Sequence, residues 1–294
     1  MAEADCRAGA IAEAVGSRFF QYPGGKFIQR SFGVDGARYT GRMSEFLALL
    51  QLGPTQALAL VVVAVLVGFA KTGIGGVTML AIPLLATVFG GKTSTGVMLP
   101  LLITGDMLAV RYYHAHADWP GIRRLLPWTV GGLLTGIFVG NLIDDRQFAM
   151  LIAFSVLLCI AVLVYLELRA GQIKIPENTA FFALIGLTAG FTTMIGNVAG
   201  PIFSVFLLVR RYGKQSFMGT SAWFFAIINL VKLPLQIFFW QNITPHTGLL
   251  ALTMVPAVLI GAVLGAMVIR RIPEKPFRWL VIVMTVLATV RLFF

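Results

Sequence analysis

The sequence predicts an all-α polytopic membrane protein built from two inverted structural repeats, and three observations carry that expectation. Of 294 residues, 58% are hydrophobic and only 12% are charged, about half the charged share of ordinary soluble domains. Apolar stretches recur from Leu58 to Phe294, most of them near the roughly 17–25 residues a helix needs to cross the hydrocarbon core. The third observation is internal self-similarity at a displacement of roughly 122–129 positions. The apolar runs are continuous and lack the short alternating pattern of a membrane barrel, so helices are the expected spanning element.

The repeat defines the elements in order. Each unit is expected to hold a glycine-broken helix pair followed by three transmembrane helices. In the first unit these fall at residues 54–70, 77–89, 94–110, 125–142 and 148–166. In the second they fall at 179–195, 201–209, 216–240, 248–269 and 277–294. The first break, Gly73-Ile74-Gly75-Gly76, matches Gly196-Asn197-Val198-Ala199-Gly200. Gly91-Lys92-Thr93-Ser94 then matches Gly213-Lys214-Gln215-Ser216, and Gly136 with Gly140 matches Gly261 with Gly265. The domain reading is a polar N-terminal extension over 1–53, a first membrane repeat over 54–170 and a second over 171–294. The extension holds no apolar core long enough for a secretory signal and is assigned no function.

The net charge of +11 does not point to nucleic acid, because the basic residues sit in short clusters between apolar segments, as cytoplasmic loops do. If each broken pair forms a hairpin, Arg111, Arg123, Arg124, Arg169, Lys174, Arg210, Arg211, Lys214, Arg270, Arg271, Lys275 and Arg278 share one face, leaving Lys92, Arg146 and His246 opposite. If each pair crosses once, the bias is much weaker. Equivalent loops also exchange charge, Asp144-Asp145-Arg146 being acidic on balance and its partner over 270–278 strongly basic. Inverted repeats with both termini outside predict that exchange.

Broken backbone is tolerated at membrane depth only where it is buried in protein or lines a wet cavity. Two breaks at matched positions therefore mark the expected site. Each second half-helix starts at its break, so free N–H groups and a positive dipole end face the gap. Lys71 adds a full charge beside Gly73, Gly75 and Gly76, with Gly196, Asn197 and Gly200 at the second break. Thr78, Ser94, Ser216, Thr220 and Asn229 are further candidate donors to an anion. Ionisable groups inside apolar segments need a reason to be there, which makes Asp106 and Lys232 candidates for coupling or gating. For Asp106 the plain alternative is pairing with Arg111 or a lysine; for Lys232 it is snorkelling to the interface. Gly132, Gly136, Gly140, Gly261 and Gly265 are read as close-packing positions.

The repeated glycine-rich break, the Lys-x-Ser that follows it and the two-unit layout resemble the TauE/SafE sulfite exporter family, also called the toluene sulfonate uptake permease family. That family typically carries three consecutive glycines in each unit; here Val77 ends the first run and Asn197-Val198-Ala199 interrupts the second. The resemblance covers residues 54–294 and implies a small anionic substrate, sulfite or an organosulfonate, and a bacterial inner membrane. The expected function is export of such an anion by alternating access, with an anion channel or a proton-coupled uptake permease for sulfur-containing organic anions as alternatives. The lipid bilayer is the expected environment, and a homodimer is left open.

Other chemistries find no support. Gly90-Gly91-Lys92-Thr93 has Ala86 where a P-loop requires glycine. His114, His116 and Asp118 lack the further ligands of a metal site, and no HExxH or nucleophile elbow is present. No enzyme activity, metal or cofactor is expected. Cys6 and Cys159 are badly placed to pair.

Overall fold

The computed structural model describes residues 18–21, 27–30, 52–72, 77–168, 178–210, 212 and 214–268, with further helical residues at 282–283, 286–287 and 289–290. The chain divides into two compact units, Met1–Gly53 and Pro54–Phe294. The first contains an antiparallel strand pair, β1 (Arg18–Gln21) and β2 (Phe27–Arg30). In the second, all regular secondary structure among the described residues is helical.

Among the described residues of that second unit the helices in order are α1 (Pro54–Thr72), α2 (Thr78–Phe89), α3 (Gly91–Tyr113), α4 (Trp119–Leu142), α5 (Asp145–Leu168), α6 (Thr179–Gly196), α7 (Gly200–Val209), α8 (Lys214–Leu235), α9 (Pro245–Thr253) and α10 (Val255–Val268). A short 3-10 turn, His114–His116, follows α3, and a π turn, Gln236–Trp240, extends α8. Among the described residues six helices are long and apolar enough to cross a membrane, and the bent pair α9–α10, kinked by 45°, makes a seventh candidate. The single long helix expected over 248–269 is thus two pieces meeting at Met254. The helix expected over 277–294 lies mostly outside the described residues. Both α1 and α6 are full-length spans, whereas α2, with 12 residues, and α7, with 10, are too short to cross.

The exterior differs from that of a soluble protein, whereas the core is apolar in both. Phe138 and Phe238 are 66% and 73% exposed, while Asp106, Thr220, Lys232 and Gln236 are fully buried. Apolar side chains on the outside, with polar ones confined to an otherwise apolar interior, are the distribution a bilayer selects, because lipid does not solvate polar groups.

Glycines set how closely the helices meet. A Cβ at Gly132 would fall on the Leu187 carbonyl oxygen, one at Gly190 on the Thr129 carbonyl, and one at Gly136 would lie 2.7 Å from Met194 Cβ. From Gly186 against Leu125, through Gly190 against Thr129 and Gly132, to Met194 against Gly136, the contacts advance together along both helices, so α4 and α6 run parallel. The same holds for α1 and α10: Gly261 abuts the Val65 carbonyl, Gly265 the Phe69 carbonyl, and the Thr72 hydroxyl donates to Ala262 O at 2.7 Å. Small residues permit this backbone approach in the absence of a hydrophobic drive between helices. Gly132→Val is accordingly expected to destabilise the bundle by about 1–3 kcal/mol through overpacking, seen as a lower thermal midpoint of the purified protein. A midpoint equal to wild type would show that the α4–α6 seam can open at no cost.

Helices α3 and α8 run antiparallel. Gly96 meets Asn242 at one end, Asp106 meets Asn229 in the middle, and Gly219 meets Tyr113 and His116 at the other end. Each end is tied by a polar clasp. At the α3 start, the Asp145 carboxylate accepts from Gly91 N at 3.1 Å and Lys92 N at 2.9 Å, capping the helix from outside, and the Asn242 amide donates to Lys92 O and Thr95 Oγ1. Gly90, at φ 86°, makes the turn that brings Asp145 this close. At the α8 start, Thr220 Oγ1 accepts from Asp118 N at 2.9 Å, and Arg210 Nη1 donates to Asp118 Oδ2 at 2.5 Å. The Tyr212 hydroxyl donates to the same carboxylate oxygen. Burial works against the ionised Asp118 carboxyl, but hydrogen bonds from Tyr212 and Arg210 outweigh it and hold its pKa below the ordinary 3.8. Burial and the neighbouring carboxylate together push the Tyr212 hydroxyl well above its ordinary value. Because the Asp118 pKa is depressed, this contribution is present above the ordinary carboxylate range and is lost only on acidification below it.

Candidate functional site

Between the two clasps, five side chains from both halves of the molecule form one line. Lys71, in the last turn of α1, makes an ion pair with Asp106 of α3. Asn229 of α8 donates its amide to the second Asp106 oxygen at 2.6 Å. Lys232, one turn further along α8, donates to Asn197, to Thr193 Oγ1 at 3.4 Å and to Asn229 Oδ1 at 3.5 Å. The line therefore runs Lys71, Asp106, Asn229, Lys232, Asn197, from the residue before the first break to the residue at the second.

Local sequence explains how each group gets there. Asn229 and Lys232 stand three apart on α8, which puts them on one face. Gly105 sits beside Asp106, and a Cβ there would lie 2.8 Å from Lys71 Cγ, so glycine leaves room for the lysine stem. The Lys71 ammonium also lies 5.1 Å from the centroid of Phe225, a cation–π contact in the aromatic cluster where Phe203 and Phe224 stack at 4.0 Å. Asn197 terminates α6 in a left-handed conformation, φ 57°, that asparagine tolerates far better than most residues. Its N–H returns to Thr193 O at 3.0 Å, and its side chain turns to meet Lys232. The residue that interrupts the expected glycine run is thus the one that makes both the turn and the polar contact.

An unpaired buried charge is expensive in this setting, and the pairing shows how the cost is met. Asp106 has a cation and an amide. Among the described residues, the partners of Lys232 are neutral oxygens only. The plain reading of Asp106, pairing with a lysine, is what its geometry shows, the lysine being Lys71. Lys232 does not snorkel, since it is fully buried.

The two helix starts differ: Val77, at the head of α2, is buried with Ala70 against Leu66 and Phe69, whereas the head of α7 has free space beside it. The N-cap of α2, Val77, offers no side-chain hydrogen bond, and a Cβ on Gly200, the first residue of α7, would meet nothing within 4 Å. A narrow crevice with no room for a ligand is lined by Ile82, Leu85, Ser94, Thr95, Met98 and Asn197, so the α2–α3 corner borders the second break. Gly73, Gly75 and Gly76 lie outside the described residues. Thr78 opens α2 and is half-buried; Gly196 is the last residue of α6.

Not every candidate joins the line. Ser94 is buried, and its hydroxyl donates to Gly91 O at 2.7 Å within its own helix while it lines the crevice with Asn197. Thr220 takes the Asp118 N–H at the clasp, and Ser216 lies in the first turns of α8, half-buried. Sequence reasoning passed over Thr193, an unremarkable threonine in an apolar run one turn before the break, and Gly105, whose only signal is its place beside Asp106. It also treated Cys159 as incidental, whereas the thiol donates to Val198 O at 3.0 Å and ties α5 to the second break.

A multi-pass helical bundle, clad outside in apolar side chains and enclosing a line of charged and amide side chains between its helix breaks, belongs to the class of polytopic membrane transport proteins. The chain belongs to the sulfite exporter TauE/SafE family of membrane transporters, whose family model matches residues 60–292. Similar curated proteins include the "Probable membrane transporter protein MamO" of Magnetospirillum gryphiswaldense, 26% identical with 54% of this chain and 31% of the relative covered. The protein of that name from Paramagnetospirillum magneticum is 24% identical over the same shares. The chain thus matches about a third of the length of these curated relatives.

Proposed function

We propose that this protein is a secondary transporter that exports a small oxyanion, sulfite or an organosulfonate, across a bacterial inner membrane by alternating access. The observation that carries the proposal is the line Lys71–Asp106–Asn229–Lys232–Asn197, which joins the two breaks through two ammonium groups and one carboxylate. That balance leaves one positive charge for a ligand to match, and the start of α7, with free space beside Gly200, adds the positive end of a helix dipole. Matching by a monoanion suits a sulfonate or hydrogensulfite. The sulfur chemistry itself is taken from the family description.

Inverted repeats are part of the proposal. Corresponding helices α3 and α8 run antiparallel, and their contacts are reciprocal: Thr95 with Asn242 at one end, Thr220 with Asp118 at the other. Each unit lends its third helix to the clasp of the other. Lys71 with Asp106 and Asn197 with Lys232 give each unit one polar contact between its broken pair and its third helix, both spanning 35 residues. In this scheme the Asp118–Arg210–Tyr212 clasp closes the basic, cytoplasmic end, and the Asp145–Gly91 and Asn242–Thr95 contacts close the other.

Direction follows from the membrane potential. A negative interior favours outward movement of an anion by about 2.3 kcal/mol per charge per 100 mV, so export requires no coupling ion. The test is efflux of labelled sulfite from proteoliposomes under an imposed potential, with organosulfonates as competitors. Saturable, potential-sensitive efflux with counterflow is expected. Large single-channel currents would replace the carrier by a pore, and no flux of any sulfur oxyanion would sink the substrate assignment.

A further inference from the structure

Gln236 is fully buried, and neither end of its carboxamide has a hydrogen-bond partner among the described residues. Buried side-chain polar atoms are nearly always paired, and an unpaired one costs about 1–3 kcal/mol. Here one side chain leaves both a donor and an acceptor unmet. The third unpaired atom, Asn242 Oδ1, is different, because the amide of Asn242 holds the α3 start.

Position gives the unmet amide a meaning. Asn229, Lys232 and Gln236 are spaced by three and four, so they share one face of α8. The first two belong to the polar line and are satisfied by it; the third is next along the same face, about 6 Å away Cβ to Cβ, toward the Asn242 end. Gln236 also opens the π turn that follows Pro234. Pro234 withholds a backbone N–H, and π turns inside helices are frequent at functional sites.

We propose that the Gln236 carboxamide is a further binding group of the transport site, donating its N–H groups to an oxyanion held between it and Lys232. The proposal rests on the anion-transport reading above and adds a specificity residue to it. An oxyanion that displaces Asn197 or Thr193 from Lys232 comes within reach of the Gln236 amide, one turn along in the direction of export. A neutral amide adds direction without adding charge, and its carbonyl accepts from the O–H of a singly protonated anion such as hydrogensulfite. A sulfonate lacks that hydrogen, so Gln236 favours the protonated inorganic anion over an organosulfonate.

Gln236→Met keeps the length of the side chain and removes the unmet groups. In the full-length purified protein its thermal midpoint without ligand is expected to rise or stay level, while its apparent affinity for sulfite, read by thermal shift and by flux, falls about tenfold. Methanesulfonate affinity falls less. Gln236→Glu, which places a negative charge at the same point, is expected to abolish sulfite stabilisation. A Gln236→Met protein with unchanged sulfite affinity overturns the proposal and leaves the amide as the anchor of a structural water. If wild type responds to another oxyanion but not to sulfite, the substrate reading fails while the Gln236 comparison is read on that anion. If no oxyanion stabilises wild type, both fall.

Discussion

Asp106→Leu is expected to destabilise the folded protein by about 3–5 kcal/mol, because it strands the Lys71 ammonium among Phe225 and its neighbours. The loss is specific to the unpaired state. Replacing a buried ion pair by apolar residues of similar volume is often neutral or stabilising, so Lys71→Met combined with Asp106→Leu is expected to recover most of the thermal midpoint. Flux is expected to stay lost in the double variant, since the line joining the two breaks has been cut at its first link. Thermal unfolding and proteoliposome efflux, measured on the same preparations, separate the two effects. A double variant that transports normally would reduce the pair to packing. Asp106→Asn addresses coupling: it keeps a side chain of the same shape, with an oxygen able to accept from Asn229, but cannot carry a proton. Efflux that persists in Asp106→Asn would remove proton coupling while leaving export in place.

Much of this fold is legible in the sequence because hydropathy and the repeat report on separate things. Hydropathy reads exposure to lipid, and the apolar runs marked α1, α5 and α6 to within a few residues. Registering the chain on itself matched Gly91-Lys92-Thr93-Ser94 with residues 213–216, and these segments begin α3 and α8. Asp106, Asn229 and Lys232 stood out because charge and amide groups inside apolar runs demand partners. What hydropathy does not encode is which partner. Lys71 is 35 residues from Asp106 in sequence, and only the approach of α1 to α3 beside Gly105 selects it over Arg111. The Asp118–Arg210–Tyr212 clasp was equally hidden, its members lying in loops whose charges were read as topology signals rather than as contacts. Pro120 and the exposed Arg123 and Arg124 start α4 well before its apolar run begins, which is why that boundary was placed late. Thr193 and Gln236 carry no charge and sit among apolar residues; a pattern based on hydropathy passes over both.

Lys232→Met is expected to weaken anion binding strongly while leaving the fold intact. Lys71 has a carboxylate to answer it, but the Lys232 partners Thr193, Asn197 and Asn229 are neutral, so an arriving anion gains most by bonding to Lys232. A hydrogen bond to a charged group contributes about 1.5–3 kcal/mol, which corresponds to a rise in KM of about 10- to 150-fold. Folding is expected to survive, because methionine fills a similar volume and the variant no longer buries an ammonium group. Lys232→Arg keeps the charge but spreads it over a planar fork too broad for a position closed in by three short polar side chains, so it is not expected to restore flux. The informative quantity is the division between KM and maximal rate. A large rise in KM with the thermal midpoint retained places the anion on Lys232; a fall in maximal rate at constant KM would mean that Lys232 governs the conformational step and that the anion is held elsewhere along the line.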